Sequence, residues 1–112
     1  MSKALIEKIR RARELKVPVN GKNYTIRRPT DAEAVEMPST RAFDFVCAFV
    51  VGWDLVELDL IPGGGPEAVP FDADLWREWV ADHPDLWQPL AMAMKDAYIA
   101  HVKERGEDEK NS

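Results

Sequence analysis

The chain has 112 residues, a net charge of −5 and 46% apolar residues, which predicts one soluble domain with its own core. Its one cysteine, Cys47, excludes an intrachain disulfide, and no apolar run is long enough to cross a membrane as a helix. The first residues lack the apolar run of a secretory signal, so we expect a cytoplasmic protein.

The charges are distributed unevenly along the chain. Residues 1–28 contain nine Lys or Arg and two acidic residues, whereas residues 29–112 contain six Lys or Arg and eighteen acidic residues. The acidic body argues against nonspecific nucleic-acid binding, because the affinity of such binding comes from neutralising phosphates. The basic segment is suited either to binding an acidic partner or to packing against the acidic residues 29–112 of its own chain.

The N-terminal segment predicts an amphipathic helix over Ser2–Leu15. Apolar residues recur there at three-to-four spacing, and the opposite face is basic. Two interpretations stay open: a packed helix with its cationic face in water, or a mobile arm over residues 1–15 that orders on a partner. In the second case Arg10, Arg11 and Arg13 are candidate partner-binding residues.

A β-hairpin is predicted next. Asn20-Gly21 is a preferred two-residue hairpin turn, because both of its positions need positive φ. Pairing Val19 with Lys22 sets the register of the two strands. That register places five apolar side chains on one face: Leu15, Val17, Val19, Tyr24 and Ile26. Leu15 is assigned either to this strand or to the end of the preceding helix.

The stretch Phe43–Trp53 is the most apolar part of the sequence. We interpret it as a central buried helix that is capped by Ser39 or Thr40 and ends at about Gly52. Residues 54–60 show partial period-two alternation, which predicts a strand or an extended connector before a glycine-rich loop.

Three further helices complete the predicted fold. They are a short helix opened by a Thr30–Glu33 capping box, a helix over residues 73–81 capped by Asp72, and a long helix from Pro84 or Leu86 to about Arg105-Gly106. We expect residues 1–106 to form a single globular domain and residues 107–112 to form a disordered polar tail. The fold class is α+β and mainly α, with four to five helices around a central apolar helix, the N-terminal hairpin and room for a second short strand pair.

The sequence contains no recognised catalytic or metal-ligating constellation. His83 and His101 have no Cys or carboxylate at a ligand spacing, and zinc sites need three or four ligands. Cys47 lies among apolar residues, which predicts a buried and inert thiol. We therefore expect no enzyme activity, no metal and no cofactor.

Four tryptophans are the remaining candidates for function: Trp53, Trp76, Trp79 and Trp87. One interpretation is core packing, because an indole buries a large apolar area. The other is an aromatic patch that binds a protein partner, because Trp is enriched at binding hot spots.

The order of these pieces resembles the small tail assembly chaperones of long-tailed, siphovirus-type bacteriophages. The resemblance covers residues 16–105 and is carried by four stretches: residues 24–34 at the end of the hairpin, residues 51–54 at the end of the apolar helix, residues 69–72, and residues 82–86 before the last helix. Its most specific points are Gly52-Trp53 and Val69-Pro70-Phe71.

The resemblance implies a function without catalysis. Members of that family bind the tape measure protein, a long helical chain prone to aggregation, and keep it soluble until the tail tube polymerises around it. They are not part of the mature virion. Other partners that it suggests are the tail tube protein, a longer form of the chaperone made by ribosomal frameshifting, and further copies of itself, all in the host cytoplasm.

Two alternatives to the chaperone function remain. One is a structural tail or connector component that assembles into rings through the hairpin edge and the basic helix. The other is a small enzyme or regulator, which the search for catalytic residues disfavours. Neither nucleic acid nor membrane is expected as a partner.

Overall fold

The computed structural model describes the backbone of residues 2–111 and the side chains of residues 2–106. The helices are α1 (Ser2–Arg11), α2 (Asp31–Ala34), α3 (Ala42–Phe49), α4 (Glu57–Leu60), α5 (Ala73–Val80) and α6 (Trp87–Asn111). The strands are β1 (Glu14–Val19), β2 (Lys22–Arg27) and β3 (Val50–Trp53), and short 3-10 turns lie at Met37–Ser39 and Pro84–Leu86. The three strands form an antiparallel sheet in the order β1-β2-β3, which confirms an α+β, mainly α fold.

The hairpin has the predicted register. Val19 pairs with Lys22, Val17 with Tyr24, and Leu15 with Ile26. Asn20 and Gly21 take φ values of 52° and 81°, as a type I′ turn requires. Leu15 belongs to β1, because the first helix ends at Arg11 and not at residue 15.

The segment Phe43–Trp53 is not one helix, and this prediction was wrong in its second half. Helix α3 ends at Phe49, and Val50 is already extended, with φ −82° and ψ 126°. From there β3 pairs with β2, so that Val50 faces Ile26 and Trp53 faces Tyr24. The β-branched pair Val50-Val51 favours a strand, and here pairing with β2 decides the ambiguity of the apolar run.

The predicted caps were partly right. The Thr30–Glu33 capping box is present, and Asp72 accepts the Leu75 N–H at the start of α5. Helix α3, however, begins after Arg41, without a side-chain cap. The hydroxyls of Ser39 and Thr40 instead bond to the Glu36 carbonyl and close the preceding 3-10 turn.

The segment after Trp53 is a connector with one helical turn. Helix α4 lies within residues 54–60, and the Asp59 carboxylate accepts the Val56 N–H at 2.8 Å. The second strand pair is reduced to one antiparallel bridge between Val56 and Ala68.

The last helix is longer than predicted. Its backbone continues through Asn111 and does not end near Arg105-Gly106. Glu107, Glu109 and Lys110 are good helix formers and follow Gly106 directly, so one glycine is not enough to end the helix. Ser112 lies outside the described residues, as do the side chains of residues 107–111, so the predicted disorder of that tail stays a prediction.

The core lies between the inner face of the sheet and helices α3, α5 and α6. Its fully buried side chains include Ile26, Phe45, Val46, Leu55, Trp76, Val80, Leu90 and Met94. Helix α6 faces the core through Leu90 and Met94, whereas Val102, further along it, is 39% exposed.

Two glycine substitutions test the backbone assignments in opposite directions. Gly21→Ala should lower the free energy of unfolding by about 1 kcal/mol, because residue 21 has a positive φ that alanine disfavours. Steric overlap does not contribute, since a Cβ at this position meets no atom. Gly106→Ala should raise it by up to about 1 kcal/mol, because this glycine lies inside α6 and its Cβ would also meet no atom. Urea unfolding of both variants measures the changes. Shifts of the same sign would contradict either the turn or the extent of α6.

Candidate functional site

Trp76 is a core residue and not part of a partner-binding patch. Its side chain is 0% exposed, and its indole N–H donates to the Val46 carbonyl at 2.8 Å. Its ring lies 5.6 Å from the ring of Tyr24 and 6.0 Å from that of Trp53. Burial raises the pKa of Tyr24 to about 12, which agrees with a closed environment. The prediction that Trp76 contacts a partner is therefore corrected to core packing.

Trp53 and Trp87 are half-buried, and each is fixed by its own hydrogen bond. The Trp53 indole donates to the Val69 carbonyl at 2.6 Å, and its ring meets Phe71 edge-on at 5.0 Å. The Trp87 indole donates to the Val80 carbonyl at 2.8 Å. Both indoles therefore hold loops and helix ends in place with their polar atoms, and only part of each ring remains for a partner.

Trp79 lines a surface groove between α4 and α5. The groove has a volume of about 340 Å³ and is lined by Leu60, Leu75, Glu78, Trp79, Asp82 and His83. Leu75 is 37% exposed, and Leu60 and Trp79 are half-buried, so the floor is apolar and accessible. Glu78 and Asp82 are exposed at its rim. We call this feature the α4–α5 groove.

His83 packs against Trp79 beside the groove. Its ring stacks on that of Trp79 with the centroids 4.0 Å apart and an interplanar angle of 24°. Its Nδ1 lies 2.7 Å from the Trp79 carbonyl oxygen, so the proton sits on Nδ1 and is donated to that oxygen. His83 occupies the N-cap position of the following 3-10 turn, but its ring makes no capping bond there.

The basic N-terminal residues lie on a helix that does not enter the core. None of the ten described residues of α1 is buried. Arg10 and Arg13 line a cleft of about 530 Å³ together with Arg27, Glu33 and Val51, whereas Arg11 does not reach it. Of the predicted basic candidates, two thus share a site and the third lies apart.

The cleft contains one strong ion pair. Arg27 donates to both oxygens of Glu33, at 2.8 and 2.9 Å, and the Thr30 N–H donates to one of them at 3.0 Å. The Arg27 hydrogen bonds, with the helix cap, lower the pKa of Glu33 to about 2. Arg27 also lies 4.4 Å above the ring of Phe49. This arginine is therefore committed to structure, because its partners fix the turn into α2.

The other candidates for chemistry have structural surroundings. Cys47 is half-buried, and burial raises the pKa of its thiol. His101 lies 3.8 Å from Asp31, whose pKa is lowered by hydrogen bonds from Tyr98 and Arg105. Within the described side chains, no three His, Cys, Asp or Glu residues are grouped to hold a metal ion. No described helix has the length and apolar character needed to span a membrane.

Comparison of the chain with family models, curated proteins and solved structures gave no match.

The structure brings three of the four candidate tryptophans into one aromatic row, in which the ring of Trp76 lies 6.0 Å from that of Trp53 and 5.9 Å from that of Trp79. Trp87 lies apart from this row and packs on Phe43 at 5.2 Å.

Sequence reasoning missed most of the groove. Leu75, Glu78, Trp79 and Asp82 are spaced as i, i+3, i+4 and i+7, which is one face of a helix. Of these four residues, only Trp79 was predicted as a candidate, as one of the four tryptophans. Leu60 could not be added from sequence, because the residues around it were predicted to be extended.

The buried position of Trp76 has a measurable consequence. Trp76→Phe should lower the free energy of unfolding by about 2 kcal/mol, because it removes the bond to Val46 and leaves a void. Met92→Ala, at a side chain 57% exposed, should change it by less than about 0.5 kcal/mol. Urea unfolding of both variants checks the assignment. Equal changes in the free energy of unfolding of the two variants would contradict the assignment of Trp76 to the core.

The Arg27–Glu33 pair predicts a pH dependence. The pKa of Glu33 is depressed in the folded state, so its contribution is complete above about pH 4.5 and is lost as the pH falls towards about 2. Glu33→Gln should lower the free energy of unfolding at neutral pH by about 1 kcal/mol, since a third of the side chain is exposed.

The difference between this variant and the parent should shrink as the pH falls from 5 to about 2. Unfolding by urea at several pH values measures it. Glu36→Gln is the control, because the described contacts of Glu36 involve its backbone carbonyl. A difference that stays constant down to pH 2 would refute the assigned pKa.

Proposed function

We propose that this chain is a tail assembly chaperone of a long-tailed bacteriophage, which binds helical segments of the tape measure protein and keeps them soluble. The observation that supports this proposal best is the α4–α5 groove. It combines an apolar floor of Leu60, Leu75 and Trp79 with the carboxylates of Glu78 and Asp82 at its rim. The sequence resemblance supplies the identity of the client.

The groove suits a helix with one apolar stripe. Amphipathic helices bind such grooves through side chains at i, i+3 or i+4, which enter the apolar floor. Glu78 and Asp82 would pair with Lys or Arg beside that stripe, and such exposed pairs act mainly on association rate and specificity. A small contact of this kind releases its client readily, as the transfer of a tape measure protein into a growing tube requires.

A second candidate is a structural tail or connector component that forms rings. The sheet supports it, since β1 and β3 are its edge strands and β1 carries mostly exposed side chains. The two candidates differ in their fate, because a structural component stays in the finished particle and a chaperone does not. Mass spectrometry of purified virions therefore separates them.

The test of the chaperone function is co-expression with segments of the tape measure protein encoded beside this chain. The parent protein should keep these segments in the soluble fraction and co-purify with them. Leu75→Gln combined with Glu78→Lys and Asp82→Lys should weaken binding about tenfold or more, because both the apolar floor and the rim change.

The matched control reverses two exposed charges elsewhere, with Asp96→Lys and Glu104→Lys on α6. It should retain client binding. Segments that remain insoluble with the parent protein, or that bind the groove variant and the parent equally, would refute the chaperone function or its site.

A further inference from the structure

Helix α1 is an amphipathic helix whose apolar face is not covered. Leu5, Ile6 and Ile9 are 61%, 44% and 48% exposed. Their spacing places them on one stripe of the helix, with Lys or Arg on both flanks. Residues 2–13 contain five Lys or Arg and one acidic residue. This surface has the chemistry of a ligand for an acidic, apolar groove.

The complementary surface lies on the same chain. Residues 54–85 contain nine Asp or Glu and one basic residue, Arg77. They also contribute every side chain that lines the α4–α5 groove, in which Leu60, Leu75 and Trp79 form the apolar floor. The helix and the groove therefore match in both charge and apolar character.

No residue of α1 lines the groove of its own chain. Helix α1 ends two residues before β1 begins, and hydrogen bonds from Ala12 and Arg13 to the last turn of α1 hold that junction. The groove lies at the other end of the hairpin. There Lys22 pairs with Asp59 at 2.9 Å, and Asn20 donates to Asp85 at 3.0 Å. A strand of six residues separates the two by roughly 20 Å.

We propose that α1 of one copy docks in the α4–α5 groove of a second copy. Leu5 and Ile9, one turn apart, would enter the apolar floor, and the flanking Lys and Arg would face Glu78 and Asp82. Two different surfaces meet in this contact, so it is heterologous and joins copies head to tail. Such a contact closes into a ring or continues as a chain, according to the rotation between copies.

The contact also gives α1 a role in the proposed function, and this consequence rests on that function. An α1 helix in the groove occupies the place that we assign to the tape measure helix. Client and self-association would then compete, and the apolar groove would stay covered until a client displaces α1.

Two variants, each defective on one side, test the docking without any client. The arm variant carries Leu5→Gln and Ile9→Gln, which preserve helix propensity and alter no buried side chain. The rim variant carries only Glu78→Lys and Asp82→Lys, at exposed positions of the groove rim, and keeps Leu75. Sedimentation velocity gives the size distribution of the parent protein, of each variant and of their equimolar mixture.

The parent protein should form concentration-dependent oligomers that dissociate in high salt. Each variant alone should associate at least about tenfold more weakly than the parent. The mixture should form a one-to-one dimer and nothing larger, because it contains only one intact arm–groove pair. The Asp96→Lys, Glu104→Lys protein should behave as the parent does, and circular dichroism should show the same fold for all.

A parent protein that stays monomeric, or an arm variant that associates as strongly as the parent, would overturn the proposal. An equimolar mixture of the two variants that forms no dimer would also overturn it. None of these outcomes involves the tape measure protein, so failure here leaves the chaperone function standing. Conversely, a chain that forms these oligomers but ignores its client would refute only the function.

Discussion

The fold depends on the packing of one side chain, Trp76. Its indole bonds to the Val46 carbonyl at the end of α3, and its ring contacts Tyr24 on β2 and Trp53 on β3. Trp76 thus connects α5 to α3 and to two strands of the sheet. Among the described side chains, its bond to Val46 is the only hydrogen bond between α5 and α3. A buried indole contributes a large apolar area, and a satisfied N–H avoids the penalty of an unpaired donor.

This anchoring explains why a groove forms beside α5. Trp76 and Val80 direct one face of the helix into the core. Leu75 and Trp79 lie beside this buried face, at the margin of the core. Glu78 and Asp82 lie further around the helix from it. One turn of α4 supplies Leu60, the third apolar residue of the groove floor. The surface that we assign to client binding is therefore the margin of the core.

The parts of the fold that local chemistry determines could be predicted from the sequence. The Asn20-Gly21 turn, the Thr30 box and the Asp72 cap each depend on residues within a few positions of one another. Strand β3 could not be predicted in this way, because Val50 becomes extended through pairing with β2, about 25 residues away. The groove could not be predicted either, since Leu60 and Leu75 are 15 positions apart in sequence and line the same groove only in the folded chain.

The charge asymmetry connects the two proposals physically. A basic helix at one end of the hairpin and an acidic groove at the other make each copy complementary to the next one, while like ends repel. The apolar stripe on α1 consists of only three large residues, and the charged residues of this helix are exposed to solvent. Screened pairs and a small apolar area give a weak contact, which a client helix with a longer stripe can displace. Under both proposals together, weak self-association would keep the groove covered and still let it accept a client.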